Sequence, residues 1–309
     1  MKQAVIDLGT NTFHLMITES GRTLFRESRP AKIGKAGINQ GIIAEEAVGR
    51  ALGVLRYFRE VLDRHGVRPE EVVATGTSAI RNAGNQQEFV EIVRAETGIP
   101  IRIISGDQEA EYIYFGVRSA GALDDRAAMV MDIGGGSVEF ILCNQERIFW
   151  KQSFEIGGQR LLERFLDTDP ISPGAVRRLG NFFQERLLPL ANAVHQYAPE
   201  VLVGSSGTFD TLVDMQYMKE KGHLPAPDET AFDLPVAEFY RSYELFLTRD
   251  HAARMELPGM IELRVDMIVV ASCLIDYVLR AFAIRRIRVS TYALKEGVLA
   301  TMNNPDFKS

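Results

Sequence analysis

The sequence predicts an α/β protein of two domains facing each other across a cleft, and three observations carry that expectation. A short motif is written twice, as Val5-Ile6-Asp7-Leu8-Gly9-Thr10-Asn11-Thr12 and, 125 residues later, as Val130-Met131-Asp132-Ile133-Gly134-Gly135-Gly136-Ser137. Each copy opens a run of three strand-like segments, residues 3–7, 12–19 and 22–28 in the first half and 127–133, 138–143 and 147–154 in the second. Around them, apolar segments of strand length alternate with helical periodicity, the rhythm of helices packed on a mixed or parallel sheet. The 309 residues suffice for two cores, divided into 1–122 and 123–291.

In the first half, the last of the three strands is reached through the tight turn Ser20-Gly21. A glycine-rich loop over 33–41 leads to a helix over 45–65, where Val48, Leu52, Leu55, Phe58 and Leu62 share one stripe and Gly66 supplies the stop. Strand 72–75, helix 86–96, strand 101–104 and helix 108–119 then alternate. The small, polar stretch 120–125 reads as a hinge. In the second half, helices over 158–165 and 173–197 precede strand 200–203 and the small-residue turn Gly204-Ser205-Ser206-Gly207-Thr208. Three prolines make 224–235 a loop. The remainder reads as largely helical until strand 287–290 and a last helix from Ala293 to about Met302.

Composition narrows the function classes. At 46% hydrophobic and 25% charged residues, nothing suggests disorder. A net charge of −6 and a pI near 5.5 argue against a nucleic-acid binder, which carries a basic face. A polyanionic ligand stays open, because charges beyond a Debye length of roughly 8 Å are screened. Cys143 and Cys273 lie far apart in apolar surroundings and read as buried free thiols, with no disulfide framework, zinc site or secretion implied. No basic segment followed by a long apolar stretch opens the chain, so the protein reads as cytoplasmic. The longest apolar stretch, 267–284, is interrupted by Asp276 and Arg280 and reads as a buried helix rather than a membrane span.

The doubled motif carries the chemistry. An aspartate at a strand end beside a turn of glycine and hydroxyl residues offers backbone N–H groups to a phosphate and a carboxylate to a divalent cation. In the second copy, Gly134, Gly135 and Gly136 allow close approach of a phosphate, Ser137 adds a hydroxyl, and Glu139 on the returning strand brings a second carboxylate near Asp132. In the first, Thr10, Asn11 and Thr12 face a phosphate from the opposite wall; local capping of the turn explains the same residues. The expected division of labour gives the cation and the tighter phosphate grip to the Asp132 copy, while the Asp7 copy closes the cleft. Gly76-Thr77-Ser78-Ala79-Ile80-Arg81 joins a strand to a helix and reads as an anion site built on Arg81. The turn at Gly207 and Thr208 offers a similar one for another phosphate or a nucleotide sugar. Asp107, Glu109 and Glu111 open a helix, where acids complement the helix dipole; one of them as a general base is the functional reading, and the pattern does not choose among them. The five histidines show no metal-ligand spacing.

Taken in order, these segments resemble the exopolyphosphatase and guanosine pentaphosphate phosphatase (Ppx/GppA) family, within the actin, Hsp70 and sugar-kinase superfamily. The likeness covers nearly the whole chain. It rests on IDLGTNTFHLMI at 6–17, GTSAIRNA at 76–83, IISGDQEAEYIYFGV at 103–117, MDIGGGSVEFIL at 131–142, GSSGTFDTL at 204–212 and ALKEGVL at 293–299. It implies two actin-like (ribonuclease H-like) domains around a cleft, with the C-terminal helix over 292–309 returning to the first. Within the SGxxEA pattern, Glu109 falls on the family's catalytic glutamate. Asp132 and Glu139 match the acidic positions of a Mg²⁺ (or other divalent cation) site, Asp7 the acid of the facing turn, Arg81 the phosphate-contacting arginine, and Gly134 to Ser137 the phosphate loop.

The implied reaction is release of orthophosphate from a terminal phosphoanhydride by in-line attack of water activated by Glu109. The first reading is an exopolyphosphatase acting on inorganic polyphosphate. A pppGpp 5′-phosphohydrolase, with a guanosine pocket near Gly204 to Thr208, is the second. An actin-like ATP-binding or phosphate-sensing module is a third, of a different class. Arg22, Arg26, Arg29, Lys32 and Lys35 offer a local basic path for a chain, or a solvated surface. Family members commonly form dimers, so a homodimer is expected. The sequence stops at Ser309, before the helical C-terminal region with an HD-type domain of longer members, and so resembles a short form. Ser290-Thr291-Tyr292-Ala293 stands where many relatives carry Ser-Asp-Gly-Ala, and no functional acid is expected there.

Overall fold

Residues 2–303 are described by a computed structural model of the chain. β1 (Lys2–Leu8) and β2 (Thr12–Glu19), both largely buried, and β3 (Arg22–Pro30), whose burial alternates, form an antiparallel meander. Helix α1 (Glu45–Arg64) buries Ala47, Ala51, Leu55, Phe58, Val61 and Leu62 against it. β4 (Val72–Gly76) returns parallel to β1, and α2 (Ser78–Arg81) and α3 (Gln86–Thr97) carry the chain to β5 (Ile101–Ile103), parallel to β4. The sheet order is β3-β2-β1-β4-β5. Helix α4 (Gly106–Ser119) starts in a capping box: Gln108 N–H donates to Ser105 Oγ (3.1 Å), and Ser105 N–H donates to Gln108 Oε1 (3.2 Å).

The second half repeats the plan. β6 (Ala128–Ile133), β7 (Val138–Cys143) and β8 (Ile148–Phe154) form a second meander, followed by α5 (Gly158–Phe165), α6 (Pro173–Arg186) and α7 (Leu188–Tyr197). β9 (Val201–Ser205) pairs parallel with β6 and leads into α8 (Gly207–Lys221). β10 (Ala231–Leu234), α9 (Val236–Thr248), α10 (His251–Met255), α11 (Met267–Ala281), β11 (Ile287–Ser290) and α12 (Leu294–Asn303) complete the chain, with sheet order β8-β7-β6-β9-β11-β10.

Two expectations change. The single helix over 173–197 is two, α6 and α7, broken at Leu187, because Pro189 has no N–H for the carbonyl four residues back and its ring crowds that turn. The loop over 224–235 contains β10: between Pro227 and Pro235 the alternating burial of Phe232 and Leu234 suffices for an edge strand antiparallel to β11. The apolar stretch beginning at Met267 is α11, buried without interruption from Met267 to Ile275. Among the described residues, no helix is long and apolar enough to cross a membrane. Both cysteines are free and buried. Residues 304–309 of the expected returning segment lie outside the described residues.

Each sheet has its own apolar core, and a third lies between them. It joins Val5 of β1 to Val130, Ile141 and Val203 of the second sheet through Ile113, Tyr114 and Val117 of α4 and Leu294 and Val298 of α12. The two helices touch backbone to backbone. A Cβ on Gly297 would stand 1.6 Å from the Tyr112 carbonyl oxygen, and one on Gly116 2.0 Å from that of Ala293, so any side chain at either position forces the helices apart. That contact sets the N-terminal turns of α4 and α12, and with them Glu109 and Lys295, on one cavity.

Candidate active site

The two Asp turns are built alike. Gly9 N–H donates to the Thr12 carbonyl at 3.1 Å, and Gly134 N–H to the Ser137 carbonyl at 3.0 Å. Residues in register across a sheet project from the same face, so each turn sits above a polar row. In the first sheet the row runs Ser28, His14, Asp7, Thr75; in the second it runs Ser153, Glu139, Asp132, Ser205. The turns meet face to face. A Cβ on Gly136 would lie 2.6 Å from both Ser78 Oγ and Thr10 Oγ1, and one on Gly135 2.9 Å from Asn11 Nδ2, which is why the opposed loop tolerates only glycine there.

Between them lies a cavity of ≈ 130 Å³. Asp7, Thr10, Asn11, Glu109, Asp132, Gly134, Gly135, Gly136, Ser137 and Gly207 all line it, drawn from both halves. Three expected residues stand apart. Arg81 lies outside its wall and reaches it through Glu109: Nη1 donates to Glu109 Oε2 at 2.7 Å and to the Ile104 carbonyl at 3.2 Å. Glu139, 1% exposed, accepts the Ser153 hydroxyl at 2.6 Å beneath the lining. Thr208 is buried one residue behind Gly207 at the head of α8.

Burial dominates the electrostatics. It pushes the Asp7 carboxyl up to about 8, aided by the charge of Glu109 and opposed by Lys295. It pushes Glu109 up to about 7 against the pull of Arg81. Asp132 and Glu139 are raised by the same cause, Glu139 well above the carboxylate range, and Asp210 rises to about 7. Burial and the nearby Lys295, Arg264 and Arg26 hold His14 well below its ordinary value, so it is neutral.

The carboxylates are not equally engaged. Asp132 accepts Ser205 Oγ at 2.6 Å and Ser206 Oγ at 2.7 and 2.8 Å, and Ser206 adopts a left-handed φ of 70° to reach it. Asp7 Oδ1, Asn11 Oδ1, Thr12 Oγ1 and Asp210 Oδ1 are buried with no hydrogen-bond partner. Such an oxygen-only set suits a hard divalent cation. Among the described residues, no three His, Cys, Asp or Glu side chains gather closely enough to enclose one unaided. Mg²⁺ in particular takes one or two carboxylates and fills the rest of its shell with water and phosphate oxygens.

Several residues of the site escaped the sequence. Ser78, Asp210 and Lys295 lie inside recognised segments without an assigned role, whereas Arg264 and Glu155 lie outside any segment and reach the site only through folding. A Cβ on Gly207 would meet the Arg264 guanidinium at 2.0 Å, so the turn at Gly207 also makes room for a cation. The expected basic path is interrupted. Arg26 pairs with Glu296 at 3.1 Å, and Arg29 pairs with Glu27 at 2.7 Å and stacks on Tyr57, which leaves Arg22 at the exposed start of β3 and Lys32 and Lys35 beside Asn11 at the mouth.

A model of the Ppx/GppA phosphatase family matches residues 16–304. The chain belongs to the Ppx/GppA phosphatase family. This Ppx/GppA chain is similar to the crystal structure of an exopolyphosphatase from Cytophaga hutchinsonii, at 45% identity, with 98% of this chain and 97% of that one covered and a TM-score of 0.93. It is also similar to the Aquifex aeolicus PPX-GPPA enzyme, at 26% identity over 97% of this chain and 99% of that one, with a TM-score of 0.79. Among curated relatives, it is 28% identical to the bifunctional 3-dehydroquinate synthase/phosphatase of Fusobacterium nucleatum subsp. nucleatum. There 91% of this chain is covered, and the chain spans only 43% of that protein's length.

Proposed function

We propose that this Ppx/GppA protein is an exopolyphosphatase, hydrolysing the terminal phosphoanhydride bond of inorganic polyphosphate to release orthophosphate. The observation that carries the reading is the cavity itself. A buried glutamate, Glu109, opens onto a space of ≈ 130 Å³ lined by backbone, hydroxyl and charged groups together with Ile113, Ile133, Ala293 and Leu294, with no Phe, Tyr or Trp to hold a base. That lining offers donors to a phosphate and no such ring on which a base would stack. Similarity to the Cytophaga hutchinsonii exopolyphosphatase supports it.

The terminal phosphate lies between the two turns, oriented by N–H groups of Gly134, Gly135, Gly136 and Ser137 on one side and by Thr10 and Asn11 on the other. Gly207, at the head of α8, adds the N–H group of a helix N-terminus, with Thr208 buried behind it. Asp7 and Asp132, with Glu139 behind them, would hold a divalent cation such as Mg²⁺, which when bound neutralises phosphate charge. Asp7 has the first claim, because its Oδ1 is free while both oxygens of Asp132 already accept serine hydroxyls. Glu109, raised to about 7, takes the proton of the attacking water at neutral pH, and Arg81 orients it and the phosphate.

The test is orthophosphate release measured side by side from short polyphosphate, long polyphosphate, pppGpp and ATP, with and without Mg²⁺. Mg²⁺-dependent release from polyphosphate is expected. Release from pppGpp alone would make the protein a guanosine pentaphosphate phosphohydrolase, and no release from any of the four would make it a binding or sensing module.

A further inference from the structure

Glu155, between β8 and α5, crosses from the second half to the first. Its carboxylate accepts Ser78 Oγ at 2.6 Å, Arg81 Nη2 at 3.3 Å and Arg160 Nη2 at 3.0 Å. The donors are walls of the fold: Ser78 is 2% exposed, and the side chains of Arg81 and Arg160 are 15% and 16% exposed. Arg160 is fixed by donating to the carbonyls of Gly136 (2.8 Å) and Ile38 (2.7 Å). The Glu155 side chain, at 42% exposure, reaches into these donors from the solvent side. A hydroxyl and two guanidiniums converging on one point are a phosphate's donor set more than a single carboxylate's.

The position is equally telling. Ser78 and Glu109 line the inner cavity, while Arg81 and Glu155 line an outer depression of ≈ 330 Å³ that shares no lining residue with it. The bonded group Ser78–Glu155–Arg81–Glu109 is therefore the partition between the two. A chain whose terminal phosphate fills the inner space carries a second negative group a few ångströms away. The other mouth, beside Lys32 and Lys35, mixes its cations with Glu262 and Asp266.

We propose that Ser78, Arg81 and Arg160 form a subsite for the next phosphate of the substrate, and that the Glu155 carboxylate occupies it as an internal stand-in until the chain displaces it. The inference rests on the phosphatase reading above. Glu155 thus acts as a built-in competitor that sets affinity for the phosphate chain.

The test uses a ligand that cannot turn over. Binding of methylenediphosphonate, two phosphonates joined through carbon, is measured by calorimetry on the full chain and on Glu155→Gln, with thermal midpoints recorded alongside. If the carboxylate fills the subsite nine-tenths of the time, Glu155→Gln binds about tenfold more tightly, because the competent fraction rises from about a tenth to one. For tripolyphosphate hydrolysis, KM falls by a similar factor while kcat stays within about twofold. Adding Ser78→Ala to Glu155→Gln reverses the gain. Unchanged or weaker binding with a lowered midpoint would overturn the proposal and leave Glu155 as a tie between the halves. Should Glu155→Gln fold poorly, Glu155→Ala serves as the second variant and must show the same gain. Tighter diphosphonate binding together with no phosphate release from any substrate would instead reject the enzymatic reading and keep the subsite.

Discussion

Where the second sheet sets Glu139 beside Asp132, the first sets His14 beside Asp7, at the same register and the same distance from the turn. The outer partners match as well, Ser28 hydrogen-bonded to His14 Nδ1 at 2.6 Å and Ser153 to Glu139 at 2.6 Å. The two rows thus share a scaffold and differ in charge. The second concentrates two acids and relieves Asp132 with the hydroxyls of Ser205 and Ser206. The first pairs its acid with a neutral imidazole and leaves Asp7 Oδ1 unpartnered. The repeated motif builds two equivalent turns; the neighbours make one acid well supported and the other available. Availability comes at a cost to folding, since a buried acid with no partner is tolerated mainly by keeping its proton.

The largest effect expected belongs to neither row. Glu109→Gln removes the group proposed to receive the water's proton, so kcat should fall by roughly 10²–10⁴ while KM moves little. Unchanged turnover would shift the chemistry back onto the rows.

The next prediction concerns Asp7. With its pKa raised from 3.8 to about 8, the folded state keeps a proton that the unfolded chain loses between those values. The unfolded state then binds fewer protons, so without divalent cation stability falls as pH rises through that window and levels off above about 8. Asp7→Asn removes this penalty. In EDTA, its melting temperature should overtake the parent's above about pH 7, by on the order of 5 °C. Mg²⁺ should stabilise the parent more than the variant. Parallel curves against pH, with and without Mg²⁺, would show that Asp7 is no more available than Asp132.

Making the rows alike is a sharper and smaller perturbation. His14→Glu should be less stable than His14→Gln at about pH 8 in EDTA by about 1–3 kcal/mol, the cost of a further buried acid, with Mg²⁺ narrowing the gap. Equal stabilities measured by urea denaturation would mean that the difference in charge between the rows has no energetic consequence. Smallest of all is the pair of serines. Ser153→Ala should cost roughly 1 kcal/mol because it strips a buried acid of its donor. Ser28→Ala should cost well under that, since its bond to His14 is exposed.

Much of the fold was legible because its signals are local. The apolar runs of strand length in β1, β2, β6 and β7, the single stripe of α1 and the glycine turns after Asp7 and Asp132 each lie within a short window. The reading slipped in two places: Pro189, a local signal passed over, split an apparently continuous helix, and β10 exists because β11 offers it an edge, which is tertiary context. At the site, Asp7, Asp132, the glycine turn and Glu109, which the structure gathers on one cavity, could be singled out by spacing and by resemblance to a family. Their mutual relation was not. Arg264 and Glu155 carry no local signature, and neither the free oxygen of Asp7 nor the engaged ones of Asp132 can be read from two nearly identical motifs.

By itself, then, the sequence determined that two Asp turns exist, that each ends a strand of a three-strand meander, and that a glutamate-headed helix lies between them. Hydrogen-bonding patterns and side-chain periodicity act over a few residues, and a motif repeated at a constant offset rebuilds the same turn wherever it occurs. Only the tertiary structure decided which acid has partners, which glycine is pressed against the opposite loop, and that a carboxylate from one half fills the donors of the other. Those outcomes depend on burial and on distances between residues far apart in the chain, such as the 77 positions from Ser78 to Glu155. The free energy of a buried charge is set by what packing brings beside it, not by its neighbours in sequence.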